Sequence, residues 1–338
     1  MQVHWNAKNV FTVLMAFGFI YLSYLIFFSG DNGLPEVDVE LRDIISYAVL
    51  AIEMGGAAVV KVHTENALNT AEKGLTDVGT SELLTKADLI SNYLILDVLK
   101  RFLGLKIVSE EKDVNALGAE EAERYKEDRY SLWLGIRDAI DQLPSRRLPL
   151  SELQVFVDPL DATQEYTENL TEYVTVMVCV THKQEPIFGA IFRPFQNETT
   201  VGVSGWGAMK STGEKIRPVS PGQAASVVVV SRSHAGEVKS LAAKAFGDSY
   251  TVEAAGGGGY KTLRLVNGTA EVYVHQTAIK KWDTCAGDAI LRSIGGSMLD
   301  LHGSPLQYAS SEPILHKGGI LAAAHSPYTF YTQLKKFI

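Results

Sequence analysis

The sequence predicts a mixed α/β body, an α+β sandwich of two lobes, preceded by one N-terminal transmembrane helix. Three observations carry this. Residues 10–28 are apolar and uncharged, residues 153–210 read as short β-branched and aromatic strands, and beyond residue 217 strands and helices alternate. Alternation of that kind builds a sheet covered by helices on both faces.

The apolar stretch 10–28 is long enough, at about 1.5 Å per helical residue, to approach the ~30 Å hydrocarbon of a bilayer. It ends in Ile26-Phe27-Phe28, with no small-residue exit of the kind a signal peptidase cuts, so a retained anchor is expected. Lys8 precedes it and Asp31, Glu36, Asp38 and Glu40 follow, which directs the N-terminus to the cytosol. The sequons Asn169-Leu-Thr171, Asn197-Glu-Thr199 and Asn267-Gly-Thr269 are compatible with a lumenal body. The expected division is a cytosolic tail 1–9, a signal anchor 10–28, a linker 29–38, an N-terminal α+β lobe 39–218 and a C-terminal α/β lobe 219–338.

Within the body, residues 39–62 have helical periodicity, with Gly55-Gly56 permitting close packing. Residues 89–103 form a second amphipathic pattern. Residues 64–81 read as a mobile polar loop and 113–149 as a charged surface insertion. Strands are expected at 106–109, 154–157, 174–181, 186–192, 202–210, 227–230 and 270–275, with helices at 238–246, 260–265 and 285–294.

With 46% apolar and 21% charged residues in 338, a sizeable core is available. A net charge of −8 without a Lys/Arg run excludes a polymeric nucleic-acid partner. The two cysteines, Cys179 and Cys285, lack a C-x-x-C spacing, which excludes a zinc or dithiol motif; two buried free thiols are expected.

The chemistry concentrates where strands end in acids. Val155-Phe-Val-Asp158-Pro-Leu-Asp161-Ala-Thr163 delivers two carboxylates into a proline-bent turn, with no Lys or Arg between residues 154 and 181. Facing carboxylates need a proton, a base or a cation, and an all-oxygen donor set selects a hard ion such as Mg²⁺, with Mn²⁺ as the alternative. Taken alone, Asp161 could equally cap a helix, Glu110-Glu111 could be a solvated pair, and Asp283 in Trp282-Asp283-Thr284-Cys285-Ala286-Gly287 reads as an N-cap.

Together, Glu110-Glu111, Asp158-Pro-Leu-Asp161-Ala-Thr163 and Trp282-Asp283-x-x-Ala286-Gly287 closely resemble the three metal-site signatures of the inositol monophosphatase superfamily, with Thr85-Lys-Ala-Asp88 matching its first acid. The Asp-Pro-Leu-Asp-Ala-Thr-Gln-Glu-Tyr-Thr string and Ser231-Arg-Ser-His234 resemble its 3′-phosphoadenosine 5′-phosphate (PAP) phosphatases. The resemblance implies a layered αβαβα fold, two or three Mg²⁺ ions held by Glu110, Asp158, the Leu160 carbonyl, Asp161 and Asp283, and a water oriented by Thr163 with Asp88. It further implies lithium inhibition, a homodimer and, with the anchor, a single-pass type II protein of the Golgi membrane. Ala162, Thr163, Ser231, His234, Gly257, Lys261 and Asp283 would contact the substrate, expected to be PAP, hydrolysed to AMP and phosphate. An inositol 1-phosphate or polyphosphate phosphatase is one rival. A catalytically dead, membrane-anchored nucleotide-binding protein is the other.

Overall fold

The chain is described from a computed structural model over residues 7–27, 36–75, 79, 81–112, 119–127, 130–232, 237–309 and 313–338. Helix α1 (Ala7–Phe27) stands apart from the body. Phe11, Leu14, Phe17, Phe19 and Tyr21 on it are all exposed, so its apolar surface covers no core. Residues 28–35 lie outside the described set, and with them the end of the expected anchor and most of its linker. Among the described residues one helix is long and apolar enough to cross a membrane, α2 (Leu41–Thr64), but it buries Ile44, Ile45, Ala48, Val49 and Ile52 and belongs to the core; the apolar part of α1, Val10–Tyr24, is shorter.

β1 (Asp38–Glu40) leads into α2 and pairs with β5 (Arg147–Pro149). Helix α3 (Lys86–Leu99) packs along α2. Gly55 makes this contact close, since a Cβ there would stand 2.5 Å from Ser91 Oγ, and one on Gly56 would stand 2.4 Å from the Phe192 ring. Both helices cover one face of a seven-stranded sheet. In chain order its strands are β4 (Lys106–Ser109), β6 (Leu153–Asp161), β7 (Thr175–His182), β8 (Glu185–Arg193), β9 (Glu198–Val203), β10 (Gly207–Lys210) and β11 (Lys215–Ile216). Their spatial order is β11-β10-β9-β8-β7-β6-β4, antiparallel except for the parallel β4–β6 edge.

A second, five-stranded sheet runs β13-β12-β14-β18-β16, built from β12 (Val227–Ser231), β13 (Thr251–Ala255), β14 (Val272–His275), β16 (Ser297–Leu299) and β18 (Ile320–Ala323), while β15 (Ile279–Lys280) and β17 (Leu315–His316) pair separately. Helices α8 (Gly258–Val266) and α9 (Lys281–Ser293) lie between the two sheets, while α7 (Val238–Phe246) and α10 (Pro327–Leu334) cover the outer face. Strand alternation shows the layering directly. Val228 and Val230 face α7, whereas Val229 faces the α8–α9 layer; Val155 and Val157 face α2, whereas Phe156 faces α9. The result is the expected αβαβα stack.

Three expectations need correction. Cys179 and Cys285 are not free thiols: they form a disulfide across 106 residues, joining β7 to α9. Alternation on β7 and helical periodicity on α9 aim both cysteines into the same inter-layer space, which linear spacing does not disclose. Residues 64–81 are not simply a mobile loop, because β2 (Ala71–Leu75) and β3 (Ser81–Leu84) make a hairpin. Residues 113–149 are not merely a surface insertion. Beyond the short α4 (Ala119–Glu123), helix α5 (Tyr130–Asp141) buries Ile136 and Ile140, and Trp133 donates its indole N–H to Ser46 Oγ at 2.8 Å.

Candidate active site

Parallel pairing of β4 with β6 sets Ser109 opposite Val157, so both strands release their acids, Glu110 and Asp158, at one edge. The Glu110 amide donates to Val157 O at 3.1 Å, which continues the ladder by one residue. The β6–β7 register then breaks between Asp158 and Asp161, a bulge that turns the second acid inward. Ser91 Oγ of α3 donates to Pro159 O at 2.7 Å and holds the turn from behind.

Asp161 accepts three hydrogen bonds: from Gly258 N (3.1 Å), Gly259 N (2.8 Å) and Thr175 Oγ1 (2.9 Å). It therefore does cap a helix, but that helix is α8, far along the chain. Gly259 must be glycine for this approach, because a Cβ there would stand 2.3 Å from Thr175 Oγ1. Asp283 is not the N-cap of α9, which is Lys280; it stands three residues on, in the first turn, and accepts the Lys280 amide at 3.0 Å in a capping box while lining the cleft.

Thr163 opens the short helix α6 (Thr163–Thr167) after the left-handed Ala162, whose φ is 71°. Its Oγ1 lies 3.1 Å from Asp88 Oδ1 and 3.1 Å from Leu160 O. Asp88, completely buried, also accepts from Thr85 N at 2.7 Å and Thr85 Oγ1 at 2.5 Å. Glu110, Asp158, Leu160, Asp161, Ala162, Thr163, Ser231, Gly257, Lys261 and Asp283 line one cleft of about 430 Å³. Asp88 stands just behind it, through Thr163. His234 lies outside the described residues.

Burial dominates the electrostatics. It raises Asp283 to about 8, with further upward pushes from Glu110 and Asp161, and it raises Asp158 well above the carboxylate range with Glu110, Asp161 and Asp283 adding to it. Asp161 is raised by burial against the opposing Lys261 ammonium. Asp88 is raised to about 7 by burial, countered by Lys73 and the Thr85 hydrogen bond. Four carboxylates enclosed at mutual cost form a site that favours an added cation, and their oxygens suit a hard one.

Among the described residues no three of these acids are arranged as a ready ligand cluster. The reason is local. Lys73 Nζ on the hairpin bridges Glu110 (2.8 Å) and Glu111 (2.5 Å), and the other carboxylates turn to backbone N–H donors. Burial works to lower the Lys73 pKa, but Glu110, Glu111 and Asp88 overcome it and hold the ammonium firmly charged. Lys73 was not legible in sequence, being one lysine in a polar stretch. Lys261 is buried, lowered to about 8 mainly by that burial, and donates to Ala255 O and Gly257 O, so it braces the glycine turn.

Two further groups escaped the sequence reading. Tyr273 and His275 alternate on β14 and line the cleft, a period-2 signal visible in Val272-Tyr-Val-His275. Arg232, next to Ser231, reaches Glu165 (3.3 Å) and Glu168 (2.6 Å) on α6 and its C-cap, joining the β12 edge to the turn that carries Thr163.

Residues 40–333 match the sequence model of the inositol monophosphatase family. The chain belongs to that family. Its relatives include inositol monophosphatase 3 of Xenopus tropicalis, 40% identical over 90% of this chain and 85% of the relative. They also include the Golgi-resident adenosine 3′,5′-bisphosphate 3′-phosphatase of Homo sapiens, 37% identical over 84% of this chain and 77% of the relative. Among solved structures, CysQ from Bacteroides thetaiotaomicron superposes with a TM-score of 0.61 at 21% identity, covering 85% of this chain and 99% of that one. Thermotoga maritima inositol monophosphatase superposes with a TM-score of 0.64 at 16% identity, covering 87% and 98%. The inositol monophosphatase fold is thus shared throughout, and the family consists of phosphatases that are typically metal-dependent.

Proposed function

We propose that the chain is a Mg²⁺-dependent phosphomonoesterase that hydrolyses PAP to AMP and phosphate. The observation that carries this reading is the meeting of Glu110, Asp158 and Asp161, from the ends of β4 and β6, with Asp283, from the start of α9, around one cleft beside the Asp88–Thr163 pair. Glu110, Asp158, the Leu160 carbonyl, Asp161 and Asp283 would hold the cations. Bound there, Mg²⁺ supplies Lewis acidity toward the phosphoryl oxygens and lowers the pKa of a water.

The chain's own residues then orient and move protons. Thr163 Oγ1 passes its proton toward Asp88, whose raised pKa near neutrality suits a base, and the freed lone pair takes up a proton of the attacking water. Lys73 pairs with one carboxylate oxygen of Glu110, so it would compete with a bound cation for that acid's charge. Ser231, Gly257, Tyr273 and His275 line the far wall, where a sugar and base would lie.

A PAP substrate is supported by the identity to Golgi-resident 3′-phosphatases and by Ser231-Arg-Ser-His234. An inositol phosphate substrate remains the second reading, favoured by the 40% identity to inositol monophosphatase 3. The exposed apolar α1, the three sequons and the disulfide support a Golgi-membrane protein with its body in the oxidising lumen. Phosphate release from PAP, inositol 1-phosphate and inositol 1,4-bisphosphate, each with Mg²⁺ and with EDTA, tests the reading. PAP should turn over fastest and only with Mg²⁺; a faster inositol phosphate reverses the substrate assignment, and EDTA-resistant turnover removes the cation.

A further inference from the structure

The geometry points to the Cys179–Cys285 disulfide as a positioning element that fixes Asp283 against Asp158 and Asp161, and so sets how tightly the cleft holds a divalent cation. The inference rests on the cation-dependent reading above.

Cys179 lies on the face of β7 turned toward α9, directly opposite Phe156 of β6. Two residues along that same face is Met177, opposite Asp158; two further is Thr175, which donates to Asp161. On the other side of the bridge, Cys285 is two residues past Asp283 in the first turns of α9. The two Cα atoms are 5.7 Å apart and both cysteines are buried. The bond therefore joins the strand that faces and grips two of the acids to the helix turn that carries another.

Two further close approaches tie α9 to β8 and β9, on the far side of β7 from the acids of β6. Gly189 lets Ala286 press against β8, where a Cβ would stand 2.2 Å from Ala286 O, and Gly202 lets Ile290 approach β9. The start of the helix also meets α8, where a Cβ on Gly258 would stand 2.8 Å from Asp283 O, and it bonds outside the seven-stranded sheet, Lys280 to Glu82 on β3 at 3.0 Å and Lys281 Nζ to Ala309 O at 3.0 Å. A covalent tie two residues from Asp283, on the strand whose Thr175 donates to Asp161, holds the helix turn and the strand in fixed relation before a cation arrives, so less ordering accompanies cation binding. A purely structural staple would behave differently: it would lower the stability of metal-free and metal-loaded protein alike and leave cation affinity where it was.

The test uses the full chain in detergent, as wild type and as the double variant Cys179→Val/Cys285→Ala. Two readouts are taken: the Mg²⁺ concentration at which the melting temperature first rises, and, far below the melting temperature of either protein, the Mg²⁺ concentration giving half-maximal phosphate release from PAP. Both concentrations should rise about tenfold in the variant, equivalent to about 1.4 kcal/mol, while kcat at saturating Mg²⁺ stays within about threefold. Wild type treated with dithiothreitol is the second arm. The dithiol gives two electrons and two protons to the bridge, closing to its own disulfide and leaving two countable thiols. It should reproduce the rise, and re-oxidation should reverse it; this arm decides the matter if the double variant does not fold. Unchanged Mg²⁺ concentrations with a lowered melting temperature would overturn the inference. Failure of the phosphatase reading is separable, because the wild type would then release no phosphate while the thermal-shift comparison still stands.

Discussion

Raising the pH should weaken the metal-free protein, contrary to the usual behaviour of salt-bridged acids. Asp283 is raised from 3.8 to about 8 and Asp88 from 3.8 to about 7, both by burial first. Between the unfolded and folded pKa values each group binds more protons folded than unfolded, so stability is fully present near pH 4 and is lost as pH rises through 7–8. Each group contributes about 1.4 kcal/mol per pH unit inside its window. From pH 5.5 to 7.5 the pair would remove on the order of 3 kcal/mol after allowance for their coupling to Asp158 and Asp161. That corresponds to a fall in melting temperature of about 4–5 °C for a body of this size. The assay is differential scanning calorimetry of EDTA-treated full chain in detergent across that range, with Asp283→Asn as the comparison, since the substitution cancels contributions from the rest of the molecule. The variant should show a visibly shallower fall, and saturating Mg²⁺ should abolish the fall in wild type because the cation replaces the protons. Equal slopes in wild type and variant, or a rise with pH in the metal-free wild type, would refute the account of the buried acids.

Three substitutions extend this. Asp161→Asn removes a charge but sets an NH₂ among the N–H of Gly259, the N–H of Gly258 and the Thr175 hydroxyl; phosphate release should fall at least about 100-fold while melting changes by no more than about 2 kcal/mol, the range for one frustrated buried group. Gly189→Ala drives a Cβ to 2.2 Å from Ala286 O; α9 must lift, costing about 1–3 kcal/mol in denaturant unfolding and raising the Mg²⁺ requirement. Arg232→Ala cuts the link between Ser231 and the α6 turn; KM for PAP should rise about fivefold, the scale of a partly exposed ion pair, with kcat nearly kept, as steady-state kinetics would read.

Much of the architecture was legible because strand and helix periods are local properties. The Val227 strand, helix 238–246 and the acids at the ends of β4 and β6 all follow from patterns within ten residues. The distant pairings were not. Asp161 accepts amides from Gly258 and Gly259, Lys73 bridges Glu110 and Glu111, and Cys179 meets Cys285; each depends on how layers stack, which no local window contains. The 64–81 stretch looked like a loop because its charges and glycine mask the alternation of a short exposed hairpin. Residues 113–149 read as external because the dense charge of residues 120–129 masks the apolar positions of the helix that follows, of which Ile136 and Ile140 are buried.

Electron paramagnetic resonance of Mn²⁺ titrated into the full chain tests the shared cation site most directly. Wild type should take up Mn²⁺ tightly, and Asp158→Asn and Asp283→Asn should each lose most of that uptake, although their residues come from different sheets' surroundings and lie 125 positions apart (283 − 158). Undiminished Mn²⁺ uptake in Asp283→Asn would contradict the claim that these carboxylates act on one ion.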